Sequence, residues 1–252
     1  MTIEKTFISD MDSYNEGMRK SLLDKSFFMD KIFDVNSFLD YGCADGSLIH
    51  FLSSLFPEYE YLGYDIDNSM IELARERNPE KLISNQIPSR NQSRCLILSS
   101  IIHEVCSYCS VYEIDSFWSN VFELGFKNIV IRDMIPSSTI NRESFHGDVQ
   151  RLIKNADNKL LKDFEMNWGS ISLNKNMIHF LLKYKYTENW SREVKENYMP
   201  IDLEKLYTII PSTYEIVYFE HYIHPFIRQQ VMNDFSIELK DNTHCKMILQ
   251  RK

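Results

Sequence analysis

The 252 residues, 44% of them hydrophobic, suffice for one large α/β domain or a core domain with an insertion, and a net charge of −8 leaves no overall basic footprint, which disfavours nucleic acid as a partner without excluding it. No apolar run is long enough to span a bilayer, and the opening MTIEKTFISDMD has neither a basic leader nor an apolar core, so a cytoplasmic protein with no membrane partner is expected. Five cysteines, an odd number, argue against a disulfide framework; Cys106 and Cys109 form a C-x-x-C without a second Cys or His pair, and no metal site is expected.

In chain order, residues 1–36 precede the first strand. Between Tyr14 and Phe33 apolar residues recur at Met18, Leu22, Phe28, Met29, Ile32 and Phe33, which predicts one or two amphipathic helices on a sheet edge. Residues 38–52, FLDYGCADGSLIHFL, read as a short apolar strand meeting acidic Asp40, a tight turn from Gly42 to Gly46, and an apolar-periodic helix. The small residues of that bend predict that backbone N–H groups at the helix start approach a bound ligand closely, as in a nucleotide-type site.

After Pro57, alternating aromatic and aliphatic residues predict a second strand that ends on Asp65, where a carboxylate can accept two ribose hydroxyls side by side. Asp67 or Asn68 is placed to cap the helix from Ser69 to Arg77. Residues 78–93 leave room for a brief strand at Leu82 and Ile83 but hardly for a following helix. Residues 94–108 predict a central strand buried on both faces, with Ser99 and Ser100 at its end and His103-Glu104 beyond. Residues 111–124 predict an amphipathic helix stopped by Gly125, and residues 128–135 a fifth strand that delivers Arg132 and Asp133 to the same edge.

The turn with its acidic residue, the GYDID ending of the second strand and the His103-Glu104 segment resemble, in order and spacing, motifs I, II and IV of the class I, Rossmann-like S-adenosylmethionine-dependent methyltransferases, over residues 38–105. Ala44 stands where that family usually has its middle glycine. The resemblance implies an α/β fold with a Rossmann-like, mostly parallel seven-stranded sheet of order 3-2-1-4-5-7-6, N-terminal helices and a helical insertion between strands 5 and 6. It implies S-adenosyl-L-methionine as cofactor and S-adenosyl-L-homocysteine as product, held by Asp40, Tyr41, Gly42, Cys43, Ala44, Gly46, Asp65 and Ser99, with Ile66 against the adenine and Asn85 or Gln86 at its amino group. His103 is the leading candidate for a base or an acceptor-orienting group. His146, His221, His224 and Asp133 are lesser candidates.

Residues 136–200 are too long for one connection, and helical periodicity at Val149, Leu152, Ile153, Leu160, Leu161, Ile178, Leu181 and Leu182 predicts a helical insertion. It carries ten Lys/Arg against eight Asp/Glu, a net +2 that leaves −10 on the remainder, with Tyr184, Tyr186, Trp190 and Tyr198 interleaved. An anionic or aromatic acceptor would suit it; a nucleic-acid patch would need more charge. The tail predicts a helix after Asp202, a strand over residues 214–224, a helix after Pro225 and a final strand over residues 244–250. The expected organisation is N-terminal helices covering the cofactor edge in 1–36, a methyltransferase core in 37–135 and 201–252, and an acceptor lid in 136–200. A small-molecule methyltransferase is the expected activity, with an RNA or protein methyltransferase, or a non-catalytic relative that keeps the fold, as alternatives.

Overall fold

The computed structural model describes residues 21–88 and 94–252. One seven-stranded sheet has the order β3-β2-β1-β4-β5-β7-β6. Its strands are β1 (Ser37–Tyr41), β2 (Glu60–Tyr64), β3 (Leu82–Ser84), β4 (Arg94–Ser99), β5 (Asn128–Asp133), β6 (Tyr214–Tyr222) and β7 (His244–Arg251). The pairings from β3 through β5 are parallel, and β7 runs antiparallel to both β5 and β6. Every residue of β4 and of β5 is buried, as expected for central strands covered by helices on both faces.

The sequence dictates the flanking helices locally. Asp67 accepts from the Ser69 N–H at 2.9 Å and starts the helix Asn68–Arg77. Ser110 and Glu113 form a capping box for Val111–Glu123, and Gly125 follows its last turn at φ +64°. Asp202 accepts from the Lys205 N–H at 2.8 Å at the start of Leu203–Ile209. Leu39, Trp118, Val121 and Leu206 belong to the core on one face of the sheet; Phe28, Ile49, Leu52 and Tyr61 belong to the core on the other.

Residues 21–36, the described part of the N-terminal segment, carry less helix than expected there. Only Leu22–Lys25 (α1) is helical among the described residues up to the first strand, and the chain continues in turns through Lys31. Phe28, Met29 and Ile32 are buried, yet Phe33 is 76% exposed, so the apolar spacing reflects turns folded onto the sheet rather than one continuous helical face. Tyr14 and Met18 lie outside the described residues.

Between β5 and β6 the chain forms α-helices over His146–Asn155, Asn158–Trp168, Asn174–Lys183 and Trp190–Glu193. They share a core of their own, with Leu152, Phe164, Phe180 and Trp190 packed with Val231 and Phe235 of the helix Pro225–Phe235. Asn174–Lys183 is buried along nearly its whole length, and its polar residues Asn174, His179 and Lys183 are enclosed with the rest.

Candidate active site

Parallel strands bring their carboxyl ends to one edge, and there the loops leave a cavity of about 650 Å³. Tyr41, Gly42 and Ala44 from the first turn, Asp65 and Ile66 after β2, and Ser99 at the end of β4 line one part of it. The turn is tight because Gly42 takes φ +79° and the chain folds back onto β2, where Gly63 leaves room for Cys43 and Ile49.

Most amides of this bend have acceptors within the chain itself. Gly42 and Cys43 donate to the Tyr64 carbonyl at 2.8 and 3.0 Å, and Gly46 donates to the Cys43 carbonyl at 2.9 Å. The Ala44 N–H donates to Asp65 Oδ2 at 2.9 Å, and the Ser47 N–H to Asp45 at 3.0 Å. The bend therefore offers closeness and small side chains rather than a nest of open N–H groups.

Asp65 is buried, and its two oxygens each take one backbone donor, Ala44 on Oδ2 and Asp67 on Oδ1 at 2.9 Å. Each oxygen keeps further acceptor capacity toward the cavity. Ser99 is buried, and its Oγ has no hydrogen-bond partner among the described residues.

The remaining sequence candidates stand off the lining. Asp40 is buried behind it, where burial and the neighbouring Asp65 and Asp45 push its carboxyl up against the opposing pull of Lys25. Cys43 packs against Gly63, and a side chain at Gly46 would run into Asn78. Asn85 is exposed and donates to Asn68 at 3.2 Å; Ile87 lines the cavity instead. Lys25 of α1, which is 3% exposed, also lines it.

The other part of the cavity is polar. His103 stands just inside the helix Ile102–Tyr108 that follows β4, and its Nδ1 lies 2.6 Å from Oδ1 of Asp133 at the end of β5. Asp133 also accepts the Ile102 and Met134 N–H groups, both at 2.8 Å, so it is held as a carboxylate and Nδ1 carries the proton. His103 Nε2 lies 3.3 Å from Glu196 Oε1, delivered by the insertion. Burial works against a charged imidazole, but Asp133 and Glu196 outweigh it and hold His103 well above its ordinary pKa. Glu196 is pulled below the usual carboxylate value, against its burial, by His103 and Arg192.

Glu196 reaches the site because residues 193–198 are fixed from two sides. Lys183 is 0% exposed and donates to the Glu193 and Glu196 carbonyls at 2.7 and 2.6 Å, with its ammonium 4.4 Å from the Tyr198 ring centroid. On the other side Ser107 Oγ accepts the Asn197 N–H at 3.0 Å. Tyr198 donates to Glu193, and its N–H donates to His179 at 3.2 Å. Single ligand atoms of His103, Glu104 and Glu196 lie within 4.8 Å of one another, and the cation already there is Arg192, 3.6 Å from Glu104 and 3.5 Å from Glu196.

The sequence singled out His103 and Asp133, and the fold brings them together. Glu193, Glu196, Arg192 and Lys183 were missed; the visible signal is a lysine ending the apolar run Ile178–Leu182 and two glutamates three residues apart beside Tyr198. Of the four aromatics noted in the insertion, Tyr186 and Tyr198 line the cavity while Tyr184 and Trp190 join the local core. His224 lines the cavity; His146 and His221 do not. Cys106 and Cys109 are free thiols.

No protein-family model matches the sequence, and no curated protein matches it. Solved structures do. The pyocyanin biosynthetic protein PhzM superposes with a TM-score of 0.56 at 11% identity, over 95% of this chain and 57% of its own. A SAM-dependent methyltransferase from Archaeoglobus fulgidus gives 0.52 at 12% identity, over 96% of this chain and 100% of its own. The MccD protein gives 0.51 at 11% identity, over 94% and 98%. At such identities the likeness is one of fold.

Proposed function

We propose that this chain, which has the Rossmann-like fold of the class I methyltransferases, is an S-adenosylmethionine-dependent methyltransferase with a small-molecule acceptor. The observation that carries the proposal is the continuity of one cavity from Asp65 and the first turn to the His103, Glu104 and Glu196 cluster. A donor held at one part can meet an acceptor held at the other.

The residues present fit the cofactor. Asp65 retains acceptor capacity for two ribose hydroxyls, Ser99 Oγ is a buried hydroxyl in want of a partner, and Ile66, Met70 and Ile87 give an apolar wall for a base. The bound cofactor supplies an activated methyl group on sulfur, open to direct in-line displacement. The protein then has to orient the acceptor, exclude water and receive a proton where the acceptor carries one; positioning alone is worth roughly 7 to 11 kcal/mol in favourable cases.

His103, with one nitrogen on Asp133 and the other facing Glu196, orients rather than abstracts. Glu196, whose second oxygen faces Tyr108 and Arg192 at 3.4 and 3.5 Å, holds that imidazole from the insertion side of the cavity. The insertion acts as the acceptor lid, since it provides Tyr186, Arg192, Glu193, Glu196 and Tyr198 to the same cavity.

The test is methyl transfer from radiolabelled S-adenosylmethionine to a panel of small hydroxyl, amine and thiol acceptors, with RNA and protein fractions in parallel. Label on a small acceptor that Glu196→Gln abolishes supports the proposal. Label confined to RNA or protein overturns the acceptor class.

A further inference from the structure

The charge that the insertion carries and the charge it presents to the cavity have opposite signs. Of the ten Lys/Arg in residues 136–200 only Arg192 lines the cavity, whereas Glu193 and Glu196 both do, so the net +2 of this segment lies elsewhere on it. Glu104, in the first turn of the helix Ile102–Tyr108, adds a third carboxylate to the same wall. One guanidinium serves all three: Arg192 stands 3.6 Å from Glu104, 3.4 Å from Glu193 and 3.5 Å from Glu196. Each of these contacts is longer than a strong charge-assisted hydrogen bond.

The other cations nearby do not close the balance. His103 is matched by Asp133, 2.6 Å away. Lys183 stands behind the wall, where its ammonium donates to the Glu193 and Glu196 carbonyls. Even with Lys183 charged, two cations face three carboxylates, and burial together with Glu196 pushes the Glu193 carboxyl above its usual value. An enclosed wall with a negative charge in excess favours a cation and repels an anion. Tyr108, Tyr186 and Tyr198 line the same part of the cavity, and the faces of such rings add to that preference.

We propose that the acceptor is an organic cation: a small molecule whose protonated amine sits against Glu104, Glu193 and Glu196 while its apolar body lies along Tyr186 and Tyr198. This deepens the methyltransferase reading above and rests on it. The anionic acceptor that the insertion's basic surplus suggests is the one this wall repels.

The test is calorimetry on the full chain saturated with S-adenosylhomocysteine, using two series of probes that share a body and differ in charge: phenethylamine, phenethyl alcohol and hydrocinnamate, then hexylamine, hexanol and hexanoate. In both series the amine binds at least about tenfold tighter than the carboxylate, with the alcohol between them. Glu104→Gln and Glu193→Gln, each verified as folded by circular dichroism, narrow that gap by at least about threefold. Carboxylates that bind as well as the amines, no binding by either amine at millimolar concentration, or a gap that both variants leave unchanged overturns the proposal. Saturable binding of Mn²⁺ alone that Glu104→Gln abolishes also overturns it, since the missing charge is then a metal's. Failure of the wild-type chain to bind S-adenosylhomocysteine overturns the cofactor reading on which the proposal rests.

Discussion

Glycine at position 42 suits its backbone first and the approach of the Ile101 side chain second. Its φ of +79° is strained for any L side chain, and a Cβ there would stand 2.7 Å from Ile101 Cδ1. Gly42→Ala is expected to cost about 1 to 3 kcal/mol, read as a lower urea midpoint with an unchanged slope. Ala44 shows the opposite case: it holds φ +45° although it is not glycine, and its N–H is fixed by Asp65. At this scale the sequence was informative where the determinant is local. Asp65 stands at the end of a short strand, and strand ends are legible from alternation. The spent state of the bend's amides was not, because their acceptors, the Tyr64 carbonyl and Asp65, sit on the neighbouring strand and only the parallel pairing of β1 with β2 brings them in.

Among the elements, residues 193–198 have the largest functional consequence for their length. Lys183 holds two of their carbonyls and has burial working against its charge, which brings its ammonium down to about 7, with Glu193 and Glu196 opposing that shift. Lys183→Met leaves the Glu193 carbonyl without a donor in an enclosed place and the Glu196 carbonyl with only His179 at 3.3 Å, a loss of about 1 to 3 kcal/mol in local stability. Hydrogen exchange should then quicken at residues 193–198 while β4 and β5 stay protected; unchanged exchange in that segment would remove Lys183 from this role. Helices of the insertion were visible as periodicity, and the sheet's strands as apolar runs. That Glu196 would meet His103 was not visible, because the meeting depends on how the insertion's core of Leu152, Phe164 and Phe180 seats it over the sheet edge.

For the whole molecule, one aspartate ties the beginning of the described chain to its end. Asp24 bridges Arg132 and Lys246, with Tyr222 as a further donor, and so joins α1 to the strands β5, β7 and β6. Burial opposes its charge, but Arg132, Lys246 and Tyr222 outweigh that and hold its carboxyl far below the usual aspartate value. Because the folded group binds its proton less readily than the unfolded one, its stabilisation is complete above the ordinary aspartate pKa and fades only as the pH falls below it. Asp24→Asn leaves two enclosed cations short of a partner, a loss of about 3 kcal/mol at neutral pH. The wild-type and variant melting curves should converge in strong acid; a gap that persists there contradicts the latch.

The central claim is that the carboxyl edge of this sheet holds an adenosine-bearing cofactor through Asp65. Calorimetric titration of S-adenosylhomocysteine into the wild-type chain, Asp65→Asn and Asp65→Ala tests it most directly, with circular dichroism to verify folding. The account predicts saturable one-to-one binding by the wild type, weakened at least about tenfold in Asp65→Ala and less in Asp65→Asn, which keeps one acceptor oxygen. No binding by the folded wild-type chain at millimolar ligand, or equal affinity in all three, would contradict it.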